Sequence, residues 1–324
     1  MRARAEAGAN IAFIKYWGVR DQRLNLPLND SVSMTLDVAR TITEVEFSPS
    51  LSADVLTING VSASQAALRR VSRHLDLLRE RAGVAWRARV ASRNTFPMGA
   101  GLASSAAAFA ALTAAAAGAL GVALDGAEMS RVARRGSGSA ARSVYGGYVW
   151  WHAGTDDASS FAEPLAPPEH WDVRDVVAVV AEEEKKVSSA EGHLLAHTSP
   201  FLRARLAQVQ RLLPRVREAI LRRDLSALGP CIEADALAMH FVMMSSRPPL
   251  FYWAPETVAL LKAVQVWREA GVAVYFTIDA GPNVHLICEA EDVERVVARV
   301  RRLEYVRRVI VAGPGPGVAL QETA

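Results

Sequence analysis

The stretch Pro97-Met-Gly-Ala-Gly-Leu-Ala-Ser-Ser-Ala-Ala107 places Gly99 and Gly101 before two hydroxyls, Ser104 and Ser105. Those hydroxyls stand at the mouth of an alanine-rich segment, residues 106–119, of high helix propensity. Glycine lets the backbone bend without a Cβ penalty. A turn opening into a helix offers free N–H groups and the positive dipole end to an anion. The hydroxyls can add hydrogen bonds to a phosphate or a ligand to Mg²⁺. The same residues can equally be a Ser-capped helix start, and local chemistry leaves both readings open. Gly136-Ser-Gly-Ser-Ala-Ala-Arg142-Ser repeats the arrangement and carries an arginine one turn in. Lys15 lies where an apolar strand ends, a position that is solvated by default. Asp279 sits in Ile278-Asp-Ala-Gly-Pro-Asn283, where an aspartate either bonds its own backbone or faces a cleft. His193 and His197, four residues apart, can share a helix face as metal ligands, but no third ligand and no H-E-x-x-H pattern accompanies them.

These side chains need elements to hold them. Residues 10–18 begin as an apolar strand and stop at Gly18; residues 31–36 and 41–47 alternate as strands, after a loop over 21–30. Residues 55–58 run into Asn59-Gly60, a hairpin signal. The spacing predicts a helix over 66–81, a strand over 84–92 leading into the first Gly turn, and a short helix over 128–135 leading into the second. A strand follows over 145–151, and the Pro-rich loop at 163–168 marks a boundary between domains 1–168 and 169–324. In the second half, an apolar strand over 173–181 precedes Lys185-Lys-Val-Ser-Ser189. A helix over 203–223 carries Leu206, Val209, Leu212, Leu213, Val216 and Ile220 on one face and arginines elsewhere. Pro214 is expected to kink or split it, and its basic side reads as a solvated face. Further helices over 225–242, 255–270 and 293–303 alternate with strands over 272–278, 284–288 and 309–312. The fold class is α+β in two halves.

Composition narrows the function. The chain has 324 residues with 51% hydrophobic and 22% charged, enough to bury an ordinary core. A net charge of +3 is too weak to imply nucleic acid or an anionic membrane surface as partner. Two cysteines, Cys231 and Cys288, make no disulfide framework, and the first residues lack the apolar core of a signal peptide, so a cytoplasmic location is expected. The longest weakly polar run, residues 99–124, is too rich in Ala, Gly and Ser to read as a membrane span. P-loop, G-x-S-x-G and G-x-G-x-x-G patterns are all missing.

Taken in order, Ala9-Asn-Ile-Ala-Phe-Ile-Lys-Tyr-Trp-Gly18, the two Gly/Ser motifs, Lys185-Lys-Val-Ser-Ser189, Met239-His-Phe-Val-Met-Met-Ser, Pro248-Pro-Leu-Phe-Tyr-Trp253 and Ile278 to Asn283 resemble the mevalonate diphosphate decarboxylases of the GHMP kinase superfamily. The resemblance spans nearly the whole chain. It implies a two-domain GHMP kinase fold, with a ribosomal-protein-S5-like N-terminal domain and a ferredoxin-like C-terminal domain around a cleft. It also implies ATP and Mg²⁺ as cofactors, phosphorylation of a tertiary 3-hydroxyl, and loss of CO₂ to give an isopentenyl product. In that pattern Asp279 matches the catalytic aspartate. Arg142 matches its arginine partner, expected to hold the substrate carboxylate and to orient Asp279 by a bidentate contact, and Lys15 matches the lysine near the reacting oxygens. Pro97, Gly99, Gly101, Ser104 and Ser105 would hold ATP, with Ser105 the Mg²⁺ ligand and Ser92 and Asn94 near the nucleoside. Tyr16, Ser137, Gly138, Ser139 and Ser189 would surround the substrate's 5-phosphate. A homodimer fits the resemblance as well.

The chain departs from the family pattern at two positions. Where the diphosphate enzymes commonly read Lys-Tyr-Trp-Gly-Lys, this chain has Val19; where some carry an arginine after Ser-Ser, it has Ala190. Each missing charge-assisted hydrogen bond is worth roughly 1.5–3 kcal/mol. Arg20, Arg23 or Lys186 can compensate within a diphosphate enzyme. Without such compensation the substrate is mevalonate 5-phosphate and not the 5-diphosphate. A 3-kinase relative that does not decarboxylate, and a non-catalytic ligand-binding regulator of the same fold, are the remaining readings. Intact Lys15, Arg142 and Asp279 argue against both.

Overall fold

The strand Arg2–Ile14 organises the first half. The computed structural model describes residues 1–95, 104–182 and 187–321. Pro97, Gly99, Gly101, Lys185 and Lys186 therefore lie outside the described residues. Arg2–Ile14 pairs antiparallel with the long strand Ser31–Ser48, which in turn pairs with Arg87–Asn94 and Tyr148–Trp151. Val55–Ile58 runs parallel to Arg87–Asn94 and turns back through Asn59 and Gly60, both at positive φ, as the Asn-Gly pair requires. The register slips between Gly8 and Asn10 and between Ala12 and Ile14, so the strand carrying Asn10 and Lys15 is bulged where it meets the site.

The helix Ser104–Leu120 is buried along most of its length, with Ala106, Ala107, Ala110, Ala111, Ala115 and Ala116 inaccessible. Methyl-sized side chains let it lie close under the sheet. Helix Gln65–Ala82 starts at Ser64, whose side chain accepts from the Ala67 N–H, and ends at Gly83 in the left-handed region.

The second half is a four-stranded antiparallel sheet in the order Val274–Thr277, Val284–Glu289, Val173–Val179, Arg308–Ala312. Helices Leu202–Arg222 and Leu225–Met244 fill the space between this sheet and the first half; Val209, Leu213, Leu228 and Ile232 share one core with Ile11 and Phe13 of the first strand. The Leu225–Met244 helix is long and apolar enough to cross a membrane by composition, but its buried face belongs to this core.

Two expectations are corrected. Helix Leu202–Arg222 is not split at Pro214: Leu212, Leu213 and Val216 anchor it on both sides, while Pro214 and Gln210, whose carbonyl it leaves unbonded, face solvent. The last strand, Ala319–Gln321, pairs with Arg2–Ile14 of the first sheet, so the chain's end returns across the 168/169 boundary.

Candidate active site

A cavity of about 1360 Å³ opens between the halves and is lined by Lys15, Tyr16, Ser104, Ser105, Ser137, Gly138, Ser139, Arg142, Ser189 and Asp279. Residues scattered from 15 to 279 thus share one wall. Ser92 and Asn94 are not in its lining. They sit on Arg87–Asn94, where Ser92 Oγ meets Thr43 Oγ1 at 3.0 Å and Asn94 Oδ1 accepts from Thr41 Oγ1 at 2.8 Å.

Lys15 follows directly on Ile14, and its side chain is only 2% exposed. Its Nζ donates to Asp279 Oδ1 at 2.7 Å, whereas the carboxylate is 26% exposed toward the cavity. The Asp279 turn is held from behind: His240 Nε2 donates to the Asp279 carbonyl at 2.8 Å, Thr257 Oγ1 donates to the Pro282 carbonyl at 2.6 Å, and Asn283 Oδ1 accepts the Val180 N–H at 2.8 Å. Asp279 is therefore a cleft carboxylate on a braced turn.

Sequence reasoning missed the cradle under Lys15. Asp235 Oδ2 accepts the Lys15 N–H at 2.6 Å, and Arg205 Nη2 donates to the Lys15 carbonyl at 2.8 Å and to Asp235 Oδ1 at 3.2 Å. Asn29 Nδ2 adds a second donor to the same carbonyl at 3.0 Å. Arg205 and Asp235 are both fully buried, so the basic helix face is not solvated throughout. A signal was present: Arg205 stands four residues before Val209, on the apolar stripe itself.

Arg142 does not make the expected bidentate contact with Asp279; Lys15 does the pairing. Arg142 Nη1 donates to Ser31 Oγ at 2.6 Å and Nη2 to Asn10 Oδ1 at 3.0 Å. Its buried Nε has no partner among the described residues, and the side chain lines the cavity. Burial lowers its guanidinium to about 10, opposed by the nearby Asp279 charge, so it is a cation at neutral pH. Asn10 also donates to the Ser139 carbonyl at 3.2 Å and to Ser143 Oγ at 2.7 Å, tying the short helix Gly138–Val144 to the first strand. Asn10 and Ser31 are thus functional neighbours that motif reading left without a role.

Tyr16 covers the Gly/Ser turn: a Cβ at Gly138 would lie 2.6 Å from its ring, so glycine is needed there for close approach. Ser137 Oγ lies 3.2 Å from Ser105 Oγ, joining this turn to the mouth of the alanine helix. Among the described residues no group of three His, Cys, Asp or Glu is placed to hold a metal. The donor set instead fits a hard cation carried on phosphate oxygens with Ser105 as a hydroxyl ligand. Nor do His193 and His197 converge on a metal. His193 Nδ1 accepts the Gly18 N–H at 3.0 Å, and His197 Nε2 donates to the Val19 carbonyl at 2.7 Å. They fasten helix Ser189–Leu195 and the turn after it to the 17–19 segment.

Val19 and Ala190 both line the cavity. Of the possible compensating cations, Arg20 is turned away, donating to the Gly154 carbonyl at 2.9 Å, Arg23 lines the cavity, and Lys186 lies outside the described residues.

The family described as diphosphomevalonate decarboxylase-like N-terminal domain matches residues 7–162, and the mevalonate 5-diphosphate decarboxylase C-terminal domain matches residues 175–309. The diphosphomevalonate decarboxylase of Candida albicans is 36% identical over 91% of this chain and 86% of its own. The phosphomevalonate decarboxylase of Haloferax volcanii is 33% identical over 100% of this chain and 99% of its own. The solved structure of MDDEF in complex with MVAPP, AMPPCP and magnesium superposes with a TM-score of 0.94 at 39% identity, covering 100% of this chain and 99% of that one.

Proposed function

The chain belongs to the diphosphomevalonate decarboxylase family, ATP-dependent carboxy-lyases of the GHMP kinase fold, and we propose that within it this enzyme decarboxylates mevalonate 5-phosphate to isopentenyl phosphate. The observation that carries the choice is the pair Val19 and Ala190 at the cavity wall, two uncharged side chains beside Tyr16, Ser137 and Ser189. Taking up a second phosphate there would leave its extra charge without those two charge-assisted hydrogen bonds.

The γ-phosphoryl group of ATP passes to the tertiary 3-hydroxyl, whose proton goes to the Asp279 carboxylate. The 3-phosphate then leaves as the bond to the carboxylate carbon breaks; that electron pair forms the new double bond and CO₂ departs. Lys15, 2.7 Å from Asp279, stands beside the reacting oxygens as a fixed cation. Arg142, a cation in the cavity lining, holds the substrate carboxylate through its guanidinium. Ser105 would hold Mg²⁺ together with oxygens of the ATP phosphates, and the ion would supply positive charge against the transferred group. Ser104 and Ser105 face the nucleotide phosphates, and Tyr16, Ser137, Gly138, Ser139 and Ser189 surround the 5-phosphate. Cys231 and Cys288 are buried free thiols, in keeping with a reducing cytoplasm.

A second reading, mevalonate 5-diphosphate as substrate, is favoured by Arg23 in the cavity lining and by the fungal and MDDEF relatives. Measuring kcat/KM for both substrates in one buffer decides. Clear preference for the diphosphate overturns the monophosphate assignment.

A further inference from the structure

His193 is packed between two aromatic rings, with its centroid 4.1 Å from Tyr16 and 4.5 Å from Trp17. It follows Ser189 by one helical turn, and both residues line the cavity. The helix is seated against the Trp17 indole, which a Cβ at Gly192 would approach to 2.7 Å. Its Nδ1 accepts the Gly18 N–H at 3.0 Å, which fixes the tautomer: Nδ1 is the acceptor and Nε2 carries the hydrogen. Nε2 takes no partner among the described residues.

We propose that His193 is a substrate-binding residue, whose Nε2–H donates a hydrogen bond to the 5-phosphate and which stays uncharged because Nδ1 is committed to a backbone N–H. Protonating Nδ1 would set two donors against each other at 3.0 Å. Burial acts in the same direction and pulls the imidazole down to about 3. The consequence is a phosphate end in which an uncharged, amide-locked imidazole joins the hydroxyls of Ser137, Ser139 and Ser189, with Arg23 as a cation elsewhere in the lining. The identity of the ligand rests on the monophosphate reading above; the donor role does not.

The test is calorimetric titration of the full chain with mevalonate 5-phosphate and, separately, mevalonate 5-diphosphate, for wild type, His193→Met and His193→Gln. Losing one hydrogen bond to a charged group raises Kd about tenfold or more. His193→Met should show that loss for the monophosphate, and His193→Gln, whose amide nitrogen can take the place of Nε2, should recover most of it. A His193→Met protein that binds mevalonate 5-phosphate as wild type does overturns the donor role. Should His193→Met lose the wild-type thermal transition, His193→Gln decides alone: retained binding supports the role, and a folded protein without binding overturns it. Wild type preferring the diphosphate in the same titrations overturns the monophosphate reading instead, and leaves the His193 comparison to be scored on that ligand.

Discussion

Asp235, on a helix of the second half, accepts the backbone N–H of Lys15, in the first half, at 2.6 Å. With Arg205 on the Lys15 carbonyl, both main-chain groups of that residue are fixed by side chains from across the cleft. The lysine's position thus depends on how the two halves are seated. Breaking one partner of a buried ion pair costs about 3–5 kcal/mol, because the other charge stays buried. Arg205→Met should lower unfolding free energy in urea by that amount, and adding Asp235→Asn should restore part of it. A double variant as unstable as the sum of the singles would show that the two residues act separately.

Asp279→Asn should reduce kcat by about 10²–10⁴-fold, the usual worth of a positioned base, while ATP binding survives. Release of CO₂ and ADP in step at the wild-type rate would remove Asp279 from the proton-accepting role. Because Lys15 pairs with it, Lys15→Met should also cut kcat, and combining the two should cost less than the product of the single losses.

Restoring the missing charges should change substrate choice. Val19→Lys with Ala190→Arg adds two charged donors at lining positions whose side chains are now uncharged. At roughly 1.5–3 kcal/mol for each such hydrogen bond, the ratio of kcat/KM for diphosphate over monophosphate should rise at least about tenfold. An unchanged ratio in the double variant would mean that these positions do not read the terminal phosphate.

His74 gives a pH signature. It is buried, its Nε2 donates to Thr113 Oγ1 at 2.9 Å, and burial lowers its pKa to about 3. Between that value and the ordinary histidine range the unfolded chain binds a proton that the native state refuses, so stability falls as pH drops below about 6.5. At pH 5 the deficit from this one residue is about 2 kcal/mol. Melting curves at pH 7.5 and pH 5 should show a smaller acid-induced fall in Tm for His74→Gln than for wild type. Parallel falls would rule His74 out as a source of acid sensitivity.

Much of the cavity's lining was legible because it sits at punctuation. Lys15 ends a strand, Asp279 tops a Gly-Pro turn, and Ser104, Ser137 and Ser139 mark Gly/Ser turns before helices. These are local signals, set by glycine's backbone freedom and by the free N–H groups of a helix start. The strand and helix order was likewise carried by hydrophobic period, including the Asn59-Gly60 hairpin. Pro214 does not split its helix because propensity is a local preference, and burial of Leu212, Leu213 and Val216 outweighs it.

The sequence alone therefore determined which residue types this enzyme brings to its chemistry and the elements that carry most of them. Only the tertiary structure decided their partners: Lys15 with Asp279 across 264 residues, and Asp235 with Lys15 across 220. It also gave Arg142 to Ser31 and Asn10 in place of Asp279, and turned His193 from a possible metal ligand into an acceptor for the Gly18 N–H. Such pairings join segments with no common period. They are set by which groups two packed halves bury together, and a buried polar group takes a partner wherever the fold supplies one.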